Sequence, residues 1–125
     1  MSRGAVLVAD DDTDFRELVR LVAQSMGIQV FEAGTCQEAI AVLTRERSRI
    51  RLVLLDYFMP GMEPAACARA LLEVALPDTS VVLCTASVHP AGRAAELGLA
   101  GSLSKPFSIA DLECVLREAR GVSPP

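Results

Sequence analysis

No apolar stretch in this 125-residue chain approaches the roughly 20 residues that a membrane-crossing helix requires. Met1-Ser2-Arg3-Gly4 runs straight into a strand-like segment without the regions of a signal peptide, so a cytoplasmic location is expected, with no membrane partner. A basic stripe is also missing. The net charge is −4 and the 12 Lys and Arg residues are scattered, which argues against a direct grip on nucleic-acid phosphates. Cys36, Cys67, Cys84 and Cys114 are widely spaced, form no C-x-x-C, and each falls in an apolar helical or strand pattern. That placement predicts reduced core thiols and no sulfur-bound metal. The one histidine, His89, stands before Pro90 without the helical setting of a phosphohistidine and reads as exposed polar surface. No internal repeat and no second domain are visible. One domain over 1–120 is expected, with Gly121-Val122-Ser123-Pro124-Pro125 as a tail or the start of a linker.

What is present is regular alternation. Short Val- and Leu-rich runs at Ala5–Ala9, Ile28–Phe31, Leu52–Leu55, Ser80–Cys84 and Ala100–Leu103 have the length and composition of strands buried on both faces. Helix-period stripes lie between them: Phe15, Leu18, Val19, Val22 and Met26 form one, and Ala39, Val42 and Leu43 another. Start signals place helices near residues 14, 36, 64 and 109, with Thr35 to Glu38 as a capping box, Pro64 at a first helical position, and Ser108 three residues before Asp111. A shorter helix follows Pro90 and contains Gly92. Strand and helix in strict alternation predict an α/β class fold, a doubly wound five-stranded parallel sheet with helices on both faces.

In such a sheet ligands bind beyond the carboxyl ends of the strands. The first strand ends in Asp10-Asp11-Asp12, the third in Asp56, the fourth in Thr85 and the fifth in Ser104-Lys105-Pro106-Phe107. Crowded carboxylates repel, and a hard divalent cation with oxygen ligands is the simplest neutraliser, which points to Mg²⁺. A carboxylate can also act as a nucleophile toward phosphorus when metal and a cation offset the incoming charge. Asp56 is the best-placed candidate, with Lys105 as the cation and Thr85 as a hydroxyl donor. Asp12 and Asp14 read instead as helix caps or first-turn acids. Met59 and Met62 read as packing around Pro60-Gly61.

Four motifs now carry a resemblance: V-L-V-A-D-D-D at 6–12, L-L-D-Y-F-M-P-G-M at 54–62, C-T-A at 84–86 and S-K-P-F at 104–107. In this order, over nearly the whole chain, they resemble a response-regulator receiver domain of two-component signalling, similar to chemotaxis regulators. The resemblance implies a flavodoxin-like (β/α)5 fold with strand order 2-1-3-4-5. It implies that Asp56 accepts phosphate from a sensor histidine kinase or phosphotransfer protein. Asp11 would bind Mg²⁺ directly, Asp10 largely through water, and the backbone carbonyl of Phe58 would be a further ligand. Thr85 would be the switch hydroxyl, Lys105 the phosphate-binding cation, and Lys105-Pro106 a cis bond. Such a module is not a conventional enzyme, although it takes part in its own phosphotransfer and slow dephosphorylation, with Phe58 shielding the acyl phosphate. Its output would be a downstream protein or output domain, or a homodimer, on the face of the fourth helix, fifth strand and fifth helix.

The sequence departs from that pattern at Ser102, where the family usually has an aromatic three residues before the lysine. The stretch from Thr85 to Lys105 is short, and Glu63-Pro64 replaces the common Asp-Gly. The switch is therefore expected in residues Ala86 to Arg93 rather than in the fifth strand. A pseudo-receiver, binding proteins without phosphorylation, is the alternative reading. A haloacid-dehalogenase-like phosphatase fails at Asp14, an EF-hand fails at Phe15 and Leu21, and a flavodoxin fails for want of a Ser/Thr-rich phosphate loop.

Overall fold

The structure, a computed structural model, describes residues 4–86 and 89–120; the tail expected at 121–125 lies outside them. In chain order the elements are β1 (Ala5–Ala9), α1 (Thr13–Ser25), β2 (Val30–Ala33), α2 (Cys36–Arg45), β3 (Ile50–Asp56) and α3 (Pro64–Val74). They continue with β4 (Ser80–Thr85), α4 (Pro90–Glu96), β5 (Gly101–Ser104) and α5 (Ile109–Leu116), closed by a 3-10 turn over Arg117–Arg120. All strand pairs are parallel and the order is β2-β1-β3-β4-β5, the doubly wound arrangement that the alternation predicts. No helix among the described residues is long and apolar enough to cross a membrane.

Strand pleating divides the core in two. Leu7 and Ala9 of β1, with Val53 and Leu55 of β3, pack on Ala39 and Leu43 of α2 and Ala68 and Leu71 of α3. Val6 and Val8, with Leu52 and Leu54, pack on Val19 and Val22 of α1 and Leu112 and Leu116 of α5. Strict alternation would send Ile50 to the second layer. A register shift between Ala5 and Val6, where Ala5 pairs Ile50 but Val6 pairs Leu52, returns it to the first.

Local signals explain most boundaries. Asp12 caps α1 by accepting from the amides of Asp14 and Phe15, and Ser108 with Asp111 forms a complete capping box on α5. At α2 the Thr35 hydroxyl accepts the Glu38 amide, but the Glu38 carboxylate meets that hydroxyl at 3.4 Å, so the reciprocal half of the expected box is missing.

Two expectations need correction. The second strand begins at Val30 rather than Ile28, because residues 26 to 28 close α1. Gly27, at φ +73°, donates to Gln24, and Ile28 donates back to Ala23 and packs with it, so its apolar side chain belongs to a helix stop. The four cysteines are also not all reduced core thiols. Cys36 and Cys67 form a disulfide, Cys114 is exposed, and only Cys84 is a buried free thiol. Sequence spacing could not show the pairing: α2 and α3 lie side by side on one face, which brings residues 31 apart to a Cα separation of 6.0 Å.

Two glycine substitutions should have opposite signs. Gly27→Ala forces a side chain into the left-handed region and is expected to cost about 1 kcal/mol. Gly92→Ala places a methyl inside α4, where the nearest contact is His89 Cβ at 3.9 Å, and should stabilise by roughly 0.5–1 kcal/mol. Urea denaturation of both variants checks this, and equal signs would contradict the backbone argument.

Candidate functional site

Because all five strands run the same way, their carboxyl ends open onto one edge. The backbone of Asp10 is fixed there by its amide donating to Ala33 (3.0 Å), and Lys105 by its amide donating to Thr85 (2.9 Å), which carries the β4–β5 ladder one residue further. Lys105-Pro106 is cis, as the resemblance implied.

Carboxylate oxygens of Asp10, Asp11 and Asp56 lie within 4.8 Å of one another, with Asp10 buried, Asp56 partly buried and Asp11 exposed. Both oxygens of Asp10 are engaged: Oδ1 accepts the Asp12 amide at 2.9 Å and Oδ2 accepts Lys105 Nζ at 2.5 Å. Lys105 Nζ also stands 3.7 Å from Asp56 Oδ1 and 4.2 Å from the centre of the Phe15 ring. Phe15 is itself held edge-on by Phe107, so an aromatic wall steers the lysine stem. Thr85 is fully buried at the end of β4.

Electrostatics follow from this crowding. Burial, then the charge of Asp10, raises the Asp56 carboxyl above its usual range, while Lys105 and the Phe58 amide offset part of the rise. Burial acts against the Lys105 ammonium, but the hydrogen bond and charge of Asp10, with Asp56 behind, outweigh it and raise its pKa. Burial pushes the Cys84 thiol up to about 12, so no thiolate competes as a ligand. The remaining donors are hard carboxylate oxygens, the set that Mg²⁺ takes, so the residues fit the expected ion.

Phe58 is 62% exposed, its ring edge-on to Tyr57, so it stands at the rim of the site rather than inside it. Ser102, on β5, pairs with Leu83 of β4 and is partly exposed. Asp14 lies in the first turn of α1, Met59 and Met62 pack with the core, and His89 is exposed. Of the segment Ala86 to Arg93, residues 87 and 88 lie outside those described. Three contributors escaped the sequence reading. Arg16 donates to the Asp10 carbonyl at 2.6 Å and pairs with Glu32, one helical turn after the Asp12 cap. Phe15 belongs to the apolar stripe of α1 and also faces the Lys105 ammonium. Arg93 donates to the Tyr57 hydroxyl at 3.0 Å and lies over its ring, linking α4 to the loop after Asp56.

A carboxyl whose pKa is raised by folding costs stability above the folded value, and that cost disappears below the unfolded value. Asp56→Asn should therefore raise the melting temperature by a few degrees at neutral pH in a metal chelator, the gain shrinking as pH falls into the ordinary carboxylate range. A melting temperature lowered at pH 7 would contradict this electrostatic account.

Comparison with known proteins agrees with the geometry. Residues 6–117 match the family model for the response regulator receiver domain. The Positive alginate biosynthesis regulatory protein of Pseudomonas aeruginosa is 35% identical over 115 residues, covering 91% of this chain and 46% of that protein. The Phosphate regulon transcriptional regulatory protein PhoB of the same species is 30% identical, covering 90% and 51%. The chain thus spans about half the length of these relatives. Sporulation initiation phosphotransferase F of Bacillus subtilis, 28% identical, is covered over 94% of both chains. Among solved structures, Vibrio cholerae chemotaxis protein CheY4 superposes with a TM-score of 0.81 at 25% identity, over 94% of this chain and 99% of that one. With four strand ends meeting in one acidic pocket and the family match running through all of them, the chain belongs to the response-regulator receiver domains.

Proposed function

We propose that this receiver domain is a phosphorylation-controlled switch in which Asp56 takes a phosphoryl group from a phosphohistidine on a sensor histidine kinase or phosphotransfer protein. The observation that carries the reading is the placement of one partly exposed carboxylate, Asp56, between two further carboxylates and the Lys105 ammonium. Asp11, Asp56 and the Phe58 carbonyl would hold Mg²⁺, with Asp10 acting through water, since both its oxygens already accept hydrogen bonds. When bound, the ion neutralises charge on the phosphoryl oxygens.

The chain's own residues do the rest. An Asp56 oxygen attacks phosphorus as the donor's histidine nitrogen leaves, and the phosphoryl group becomes an acyl phosphate. Lys105, 3.7 Å from Asp56, needs only a short swing from Asp10 to meet a phosphoryl oxygen, and the Phe15 wall keeps its stem in line. Thr85, at the end of the neighbouring strand, supplies the hydroxyl that follows the phosphoryl group inward. The output is a protein-binding face on α4, β5 and α5, used by a downstream protein, an output domain or a second copy, in the cytoplasm and without direct nucleic-acid contact.

A small phosphodonor with Mg²⁺ should label the protein, and Asp56→Asn should abolish labelling while leaving the circular dichroism spectrum unchanged. A wild-type protein that takes no label is a pseudo-receiver, and a mutant that labels normally moves the nucleophile elsewhere.

With Ser102 unable to fill space vacated by Thr85, the signal should run through the Arg93–Tyr57 contact into α4, whose only buried residue is Ala94. Amide exchange with and without beryllofluoride should change most in α4. A larger change in β5 and α5 would contradict that route.

A further inference from the structure

The bond between Cys36 and Cys67 takes no part in phosphoryl chemistry, yet it lies beside it. Cys36 is the first residue of α2 and Cys67 the fourth of α3. Both line a small pocket shared with Asp56, Tyr57, Met59 and Met62. The loop over 57–63 leads from the phosphoacceptor to α3. Gln37, next to Cys36, donates from Nε2 to the Gly61 carbonyl at 3.3 Å, so α2 already holds this loop. One covalent bond therefore joins the helix that grips the loop to the helix in which the loop ends. Reduction removes that covalent link.

We propose that Cys36 and Cys67 are a reversible dithiol–disulfide site that sets the rigidity of the loop over 57–63, the disulfide form presenting a better-ordered metal and phosphoryl site at Asp56. The coupling to Asp56 rests on the phosphoacceptor reading; the redox pair itself does not. The oxidant is a low-molecular-weight disulfide, RSSR. One cysteine loses its proton and its thiolate attacks a sulfur of RSSR, expelling RS⁻ and leaving a mixed disulfide between that cysteine and RS. The second cysteine, also deprotonated, attacks the protein sulfur of that mixed disulfide and expels the second RS⁻. The protein gives up two electrons and two protons, and RSSR becomes two RSH. Excess thiol drives the reverse. With Cys36 1% and Cys67 3% exposed, exchange proceeds through local opening of the α2–α3 pair.

The coupling is physical. Restraining two helices that flank a ligand-bearing loop narrows the geometries the loop samples, which favours a site needing its groups held in place. Losing a group that hydrogen-bonds a metal ligand changes affinity by roughly 10–100-fold; the disulfide supports the loop rather than a ligand and Gln37 still holds Gly61 after reduction, so the effect is expected at the low end.

The test uses the full chain carrying Cys114→Ser, which removes the exposed free thiol and leaves buried Cys84 alone. The protein is equilibrated over a range of glutathione to glutathione disulfide ratios, quenched and alkylated, and Cys36 and Cys67 are scored by mass spectrometry. Mg²⁺ is then titrated into each form by tyrosine emission, which reports this loop because Tyr57 is the chain's one tyrosine and there is no tryptophan. Expected are a reversible transition within the glutathione range and roughly tenfold weaker Mg²⁺ binding by the dithiol form, with slower labelling from a small phosphodonor. Cys36→Ser, which cannot form the bond, should behave as the dithiol form at every ratio. A bond that never forms, or that resists millimolar reductant in the folded protein, overturns the proposal. So does a reversible bond whose two forms bind Mg²⁺ and take label equally, a result that leaves the phosphoacceptor reading standing. Absence of label and of Mg²⁺ response in both forms, with the bond still titrating, instead defeats the phosphoacceptor reading and with it the coupling.

Discussion

The ion pair of Lys105 with Asp10 holds the carboxyl edge of the sheet together. Three carboxylates meet where β1 and β3 end, and the ammonium from the end of β5 lies within reach of both Asp10 and Asp56. Asp10 is 1% exposed, so its charge has little water to fall back on, and the hydrogen bonds from Lys105 and the Asp12 amide take that place. Lys105 in turn is held by its backbone bond to Thr85 and by the Phe15 and Phe107 rings. A sheet whose strands ran antiparallel would scatter these residues between two edges. The parallel order brings together groups 95 positions apart in sequence.

That arrangement also makes the site responsive. Asp56 is held above the ordinary carboxylate range by burial and by Asp10, so it is a carboxylate that gains from any added positive charge. Lys105 is shared unequally, 2.5 Å from one acid and 3.7 Å from the other, and can change partner when the charge on Asp56 changes. Tyr57 follows Asp56 directly and touches Arg93, which places α4 one contact from the residue beside the Asp56 carboxylate. α4 contributes a single buried residue, whereas α1 and α2 contribute several each, so it is the helix whose displacement disturbs the core least.

Much of this was legible from residues alone because it depends on local chemistry. Buried strands had to be short apolar runs, Asp12 and Ser108 announced their helices, and charged residues at strand ends had to converge once the sheet was parallel. What escaped depended on distance in space. Ile28 looked like a strand residue because a helix stop closed by Gly27 also buries an apolar side chain there. Cys36 and Cys67 gave no pairing signal because their approach follows from the lateral spacing of α2 and α3, which no local pattern encodes. Arg16 and Arg93 carry no local signal of their contacts: the first donates back to the Asp10 carbonyl six positions earlier, and the second finds an aromatic 36 positions away.

Under the proposed function Asp56, and none of its acidic neighbours, carries phosphate. Reduction of the phosphodonor-treated protein with borohydride converts an acyl-phosphorylated aspartate to homoserine, and tandem mass spectrometry then locates it in the sequence. Homoserine is expected at position 56 alone, in amounts that depend on Mg²⁺. Homoserine at position 10 or 11, or an unmodified Asp56 peptide after full treatment, would contradict it.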